Sequence, residues 1–298
     1  MRARRVDQDC GCERPGKAYS VVVEAAKKEI LVKMEIQDRI RSLNNLMREA
    51  LRGTPLFRPA RSAYFWLFNR EPLRERHALE RFYRQFVFPG DLAFDIGANV
   101  GDRSEVMLNI GARVVAVEPN PACVVRLREL RFRNLAIEPV AVGDVPGTRT
   151  LHLSHSSGHS TLSEQWMAVS REKYGREWLN KISVPVTTLA ALVQKYGQPR
   201  FIKIDVEGSE FEVLKGLGVL PSFLSFEFLT ALPEATIKCL SLPCFTPLTR
   251  YNLVLGEGTS LHFAEWLDQT ALIQTLEEQR ASGVSWGDVL VASHPDSL

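Results

Sequence analysis

Three acidic residues each close a strand-like run in the first half of this chain: Asp95 in "LAFDI", Glu118 in "RVVAVE" and Asp144 just beyond "PVAV". Asp95 is followed by Gly97, Asn99 and Gly101, a turn from which side chains are cleared and after which a helix N-terminus begins. The spacing is G-x-N-x-G rather than the G-x-G-x-x-G of a dinucleotide site, and a carboxylate at Asp95 would oppose a pyrophosphate while welcoming a cationic ligand. Glu118 lies 23 residues after Asp95, the position from which a carboxylate at the end of a second strand accepts both hydroxyls of a ribose. Asp144, where the third strand leaves the sheet, is placed to reach an adenine amino group. Adenine, ribose and a positively charged remainder together describe S-adenosylmethionine. Asp95, Gly97, Asn99, Gly101, Glu118 and Asp144 are therefore the predicted cofactor-binding residues.

A second dense cluster, "KIDVEGSE", carries Lys203, Asp205, Glu207 and Glu210. Asp205 closes a strand and Gly208 opens the following helix. Strand alternation puts Lys203 and Asp205 on one side. Methyl transfer from a sulfonium is an in-line displacement, in which the protein aligns the acceptor oxygen and takes its proton. Alignment supplies roughly 7 to 11 kcal/mol of such a barrier, and a positioned base about 10² to 10⁴ in rate. Asp205, Glu207 and His159, the last in the polar loop "SHSSGHSTL", are the catalytic candidates. The plainer reading is that a carboxylate here caps the helix or binds the methionine ammonium. Asp205, Glu207 and Glu227 could converge on Mg²⁺, but the sequence does not demand a metal. His152, His155 and His159 lack the fixed geometry of a metal site.

The elements that must position these groups follow an alternating pattern. Strand-like runs at "LAFDI", "RVVAVE", "AIEPVAV", "RFIKID" and "FLSFEF" alternate with helical runs at "DRSEVMLNI", "PACVVRLRELRF" and "GSEFEVLKGL". That order predicts an α/β fold with a parallel sheet and right-handed crossovers, helices on both faces. Between the third and fourth runs, residues 147–186 read as a strand, a Ser/His/Gly loop, an amphipathic helix and a short strand. Upstream, helices are expected over residues 21–51 and in "LRERHALERFYRQFV", separated by the two prolines of "RGTPLFRP". The expected organisation is a tail and helical extension over 1–62 and a catalytic domain over 63–298.

Composition narrows the class further. With 298 residues, 45% hydrophobic and 24% charged, the chain can bury a core without staples. The longest strongly apolar run, "AYFWLF" at Ala63–Phe68, is far short of the roughly 18 residues of a membrane span, and the N-terminus lacks a signal peptide's apolar segment. Five scattered cysteines form no disulfide framework and suit a reducing cytoplasm; Cys10 and Cys12 read as surface thiols. Residues 1–84 hold 19 Lys and Arg against 11 Asp and Glu, so the net +2 hides a basic front and an acidic remainder. In the helical stretch 25–52 no aromatic residues are interleaved with the charges to stack on bases, and a solvated helical face is favoured over a nucleic-acid surface. No nucleic-acid or membrane partner is expected, and no oligomeric state follows.

The stretches "FDIGANVGDRSEVMLNIGARVVAVEPNP", "AVGDVPG", "IKIDVEGSEFEVLKGL", "SFEF" and "SWGDVLV" resemble the FkbM-type methyltransferases, a branch of the class I S-adenosylmethionine-dependent enzymes. The resemblance covers about residues 75 to 293. It implies a Rossmann-like seven-stranded, mostly parallel sheet with the last strand antiparallel. The implied reaction is methyl transfer to a hydroxyl of a sugar, polyketide or other small natural product. By the same resemblance Asp95, Gly97, Asn99 and Gly101 form the methionine-side loop, Glu118 holds the ribose and Asp144 lies near adenine. Two other classes share parts of the pattern. A nicotinamide-dependent oxidoreductase would share the fold but calls for G-x-G-x-x-G, and a non-catalytic nucleoside-binding adaptor would keep the strands and lose the acidic series.

Overall fold

The computed structural model describes residues 71–154 and 159–297, with backbone alone for 71–73. The predicted helices of 21–51, Cys10, Cys12, the boundary at 62/63 and His155 lie outside the described residues. Among the described residues no helix is long and apolar enough to cross a membrane.

Helix α1 (Glu71–Tyr83) leads into β1 (Leu92–Ile96), and the predicted alternation follows: α2 (Asp102–Ile110), β2 (Arg113–Val117), α3 (Pro121–Arg128) and β3 (Leu135–Glu138). All five residues of β1 are buried, as expected of a strand covered on both faces. The run "AIEPVAV" is not one strand. Pro139 has no N–H to donate to a ladder, so β3 stops before it and β4 (Ala141–Val142) joins a different sheet.

The 147–186 segment is larger in strand than its pattern suggests. After β5 (Gly147–Ser154) and α4 (Glu164–Tyr174), the expected short strand is the ten-residue β6 (Trp178–Thr187), which runs antiparallel to β5 and parallel to β4. These three strands form their own small sheet, a flap, in the order β4-β6-β5. Helix α5 (Leu189–Tyr196) then returns the chain to the main sheet through β7 (Phe201–Ile204), α6 (Glu210–Lys215), β8 (Phe223–Leu229), α7 (Pro233–Leu240), β9 (Arg250–Leu255), α8 (Gln269–Ala281) and β10 (Trp286–Ala292).

The main sheet has seven strands in the order β3-β2-β1-β7-β8-β10-β9. Strands β1, β2, β3, β7 and β8 pair in parallel, and β10 inserts antiparallel between β8 and β9. This is the α/β, mostly parallel, seven-stranded sheet with its last strand antiparallel that the resemblance implies. One face carries Phe94, Ile96, Ile204 and Phe226 against Leu189, Val213 and Leu272 of the helices. The other carries Ala93, Val114, Phe201 and Leu290 against Phe82, Tyr83 and Met107. Fully burying one such large apolar side chain contributes about 1.5–3 kcal/mol. The strand order reverses at β1, and its neighbours β2 and β7 leave on either side, which opens a crevice at their carboxyl ends.

Candidate active site

The loops at those carboxyl ends are tied to one another by backbone. The Gly97 and Ala98 N–H groups donate to the Val117 carbonyl at 2.9 and 3.1 Å, and the Asp205 N–H donates to Ile96 at 2.9 Å. Gly97 has a φ of 82°. A Cβ there would lie 1.8 Å from the Asp205 carbonyl oxygen. What clears the side chain from this turn is thus the neighbouring strand's own backbone. The Gly101 position, which precedes α2, abuts Leu127 and Leu130.

A groove opening to solvent lies over these loops. Its polar walls include Asn99, Glu118, Thr161, Asp205 and Glu207, and its apolar walls Val140, Val142, Leu151 and Leu162. The flap therefore supplies part of the site. Leu151 and Leu162 were not singled out by sequence reasoning, and the only local signal was the alternation of "TLHLS" in β5.

Glu118 is buried, and its two oxygens each accept one backbone N–H, from Asn99 at 2.8 Å and Asn120 at 2.7 Å. Burial outweighs those bonds and pushes its carboxyl up to about 7. A carboxylate has about four lone-pair sites, so two remain for hydroxyl donors in the groove. Asn99 sits at a φ of 48°, and its Oδ1 accepts from the Cys123 thiol at 3.2 Å.

Three predicted cofactor residues lie outside the groove lining: Gly101, packed on Leu127 and Leu130, Asp95 and Asp144. Asp95 is buried beneath α2 and accepts the Ser104 hydroxyl at 2.5 Å, with burial raising its carboxyl above the usual range. It positions α2 and does not line the groove. Asp144 is also outside the lining, held by Lys215 at 3.0 Å and Arg149 at 3.0 Å.

On the other side of the groove, Lys203 is buried with its ammonium 2.9 Å from Asp288 and 3.4 Å from Asp205. The predicted shared side of Lys203 and Asp205 is thus realised. The two carboxylates hold the Lys203 ammonium in its charged form against the cost of burial. Asp205 retains 43% side-chain exposure.

Glu207 is the most tightly fixed group of the site. Its φ is 55°, a left-handed conformation that costs a residue with Cβ about 1–2 kcal/mol. Three contacts from the flap side hold it there: Trp166 Nε1 donates to Oε2 at 2.9 Å, His159 Nδ1 lies 3.2 Å from Oε1, and the Thr161 hydroxyl donates to its carbonyl at 2.7 Å. His159 is anchored in turn through its own carbonyl, which accepts from Trp178 Nε1 at 2.9 Å. Trp166, Thr161 and Trp178 gave no sequence signal, because their roles depend on how the flap docks. Glu210 turns back to accept the N–H groups of Val206 and Gly208, both at 3.2 Å, and burial lifts its carboxyl to about 7.

Residues 95–231 match the family model described as a methyltransferase FkbM domain. Hexuronic acid methyltransferase AglP of Haloferax volcanii is 33% identical over 132 residues, 43% of this chain and 50% of that protein. Ribosomal RNA large subunit methyltransferase E of Archaeoglobus fulgidus is 40% identical over 62 residues, 20% of this chain and 32% of that one. The chain thus spans half the length of the first relative and about a third of the second. Among solved structures, the plantazolicin methyltransferase BpumL in complex with S-adenosylhomocysteine superposes with a TM-score of 0.34 at 12% identity, over 87% of this chain and 99% of that one. An rRNA methylase from Streptococcus thermophilus reaches 0.37 at 10% identity, over 72% and 92%.

Proposed function

We propose that the chain, whose residues 95–231 match the methyltransferase FkbM domain model, transfers a methyl group from S-adenosylmethionine to a hydroxyl of a sugar, polyketide or other small natural product. The observation that carries the reading is Glu118, a buried carboxylate fixed by two backbone N–H groups at the groove wall with two acceptor sites left over. Those sites suit the paired hydroxyls of a ribose, and Val140, Val142, Leu151 and Leu162 form an apolar slot of the kind an adenine fills. The residues present therefore fit the cofactor. When bound, S-adenosylmethionine supplies an electrophilic methyl on a sulfonium.

The chain's own groups divide the remaining work. Glu207 holds His159 through Nδ1, so that Nε2 can accept the proton of an acceptor hydroxyl while Glu207 stabilises the imidazolium that forms. Asp205, partly exposed and tied to Lys203, orients the acceptor. The relative AglP is named for a hexuronic acid, which supports a sugar acceptor. The test is calorimetric titration with S-adenosylhomocysteine followed by a labelled-methyl screen of hydroxylated metabolites. Binding in the micromolar range and label in an alkali-stable ether are expected. Failure of the wild-type chain to bind S-adenosylhomocysteine would overturn the proposal.

A further inference from the structure

Four carboxylates, three just beyond β7 and Glu227 within β8, gather and are unequally satisfied. Glu207 has the Trp166 indole and His159, and Glu210 has two backbone N–H groups. Two carboxylates are left with unfilled acceptor capacity. Asp205 has only the 3.4 Å ion pair to a lysine that sits closer to Asp288. Glu227 has a fully buried Oε2 with no hydrogen-bond partner.

The sheet register sets these two side by side. Lys203 pairs with Ser225 across β7 and β8, so the next positions on the same face are Asp205 and Glu227. Glu227 in turn stands opposite Asp288 on β10. Burial, then the charges of Asp205, Glu207 and Glu210, push the Glu227 carboxyl well above its usual range, with Lys203 opposing. An enclosed acceptor oxygen without a donor is a costly arrangement that a bound donor would relieve.

Resting on the methyltransferase reading, we infer that Asp205 and Glu227 form a clamp for a protonated amine on the methyl acceptor, so that the substrate is an amino-bearing hydroxyl compound such as an amino sugar. An ammonium has three donors and no acceptor, which matches the open lone pairs of Asp205 and of Glu227, whose carboxyl a bound cation would help to ionise. A neutral hydroxyl fills one of them, and a carboxylate-bearing acceptor adds a like charge to an acidic pocket. Among the described residues no three His, Cys, Asp or Glu side chains converge to hold a metal ion, so an organic cation is the better match. The cofactor also carries an ammonium. Position argues for the acceptor, because Glu118 and Asn99 place the nucleoside at the β1 and β2 ends, whereas β8 lies on the far side of β7.

The experiment titrates the full chain near pH 7 with S-adenosylhomocysteine and then, in its presence, with glucosamine, glucose and glucuronate. Glucosamine is expected to bind at least about tenfold more tightly than glucose, with glucuronate weakest, the size of effect expected of a charge-assisted hydrogen bond. In Glu227→Gln that preference should shrink to within about threefold while affinity for S-adenosylhomocysteine stays within about twofold. Asp205→Asn, at a partly exposed position, should erase the preference in the same way and serves if the Glu227 variant does not fold. Equal binding of glucosamine and glucose, no binding of glucosamine, or a preference for glucuronate would overturn the clamp. So would a loss of S-adenosylhomocysteine affinity in Glu227→Gln, which assigns the carboxylates to the cofactor's ammonium. No S-adenosylhomocysteine binding by the wild type defeats the methyltransferase reading instead, which keeps the two failures apart.

Discussion

The two sides of the groove solve the burial of carboxylates in opposite ways. At the β1 and β2 ends, Asp95 has the Ser104 hydroxyl and Glu118 has two backbone N–H groups. At the β7 and β8 ends, Asp205 is only loosely paired and Glu227 has an unpartnered oxygen. The carboxylates of the first side are held in place as folded, and their donors come from within 25 residues along the chain. The second draws its fixed groups from the flap and leaves the rest open. A preorganised wall suits a ligand common to a whole family, and an incomplete one suits a ligand that varies, because the missing donors are left for that ligand to bring.

The seam between the two sides is the place to break this arrangement most severely. Gly97 meets the Asp205 carbonyl there, so Gly97→Ala should cost about 4 kcal/mol or more, since neither backbone can retreat without giving up its hydrogen bonds. Gly175, which also has positive φ but nothing within 4 Å of its would-be Cβ, is the control, and Gly175→Ala should cost only about 1–2 kcal/mol. Urea unfolding of the two variants decides it; equal losses would show that dihedral strain, and not contact across the seam, is what Gly97 relieves.

The acceptor side is next. His159→Ala should lower turnover by about 10² or more and leave S-adenosylhomocysteine affinity within a few-fold, whereas Glu207→Gln should lower turnover less. Unchanged turnover in Glu207→Gln would separate Glu207 from the proton transfer and leave it as a flap anchor.

On the cofactor side, Glu118→Ala should weaken S-adenosylhomocysteine by roughly 1.5–3 kcal/mol. Its pH behaviour is a finer test. A carboxyl raised to about 7 is largely protonated at pH 6, and the ionised form is the better ribose acceptor. Affinity should therefore fall about tenfold between pH 8 and pH 6, and this slope should vanish in Glu118→Gln. Stability of the free chain runs the other way. Glu118 and Glu210 both bind protons more tightly folded than unfolded, so the free chain loses stability as pH rises from about 4.5 through about 7. Melting curves of the free and liganded chain across that range would show ligand stabilisation growing with pH.

The same division explains what could be read in the sequence. Glu118 and the Gly97–Gly101 turn were legible because a strand end and a glycine-rich turn fix their place locally, and the alternating pattern carried the sheet. Asp205 was legible for the same reason. The dependence of Glu207 on His159 and Trp166 was not, since it joins residues 48 and 41 positions apart through a flap sheet. The split at Pro139 was visible as a proline but read as part of one strand, because nothing local says that Ala141–Val142 finds a partner in Val186–Thr187.

Asp144 gives the smallest expected effect and a sharp discrimination. As a strand-end carboxylate it was expected to face adenine, yet Lys215, 71 positions away, and Arg149 both hold it at 3.0 Å. The hydrogen bond from Lys215 is the main reason its carboxyl lies below the usual range. Both cations are largely exposed, at 55% and 40%, and water screens such pairs, so Asp144→Asn should cost no more than about 1 kcal/mol of stability. That contribution is present above the ordinary carboxylate range and is lost as pH falls through the lowered value. If the ion pairs are all that Asp144 does, S-adenosylhomocysteine affinity in Asp144→Asn should stay within about twofold, whereas a lost hydrogen bond to the adenine amino group costs about 0.5–1.5 kcal/mol, or up to roughly tenfold. A tenfold loss that is absent with an inosine-based analogue, which has no amino group to donate, would return Asp144 to the cofactor side and require the Lys215 and Arg149 pairs to open on binding.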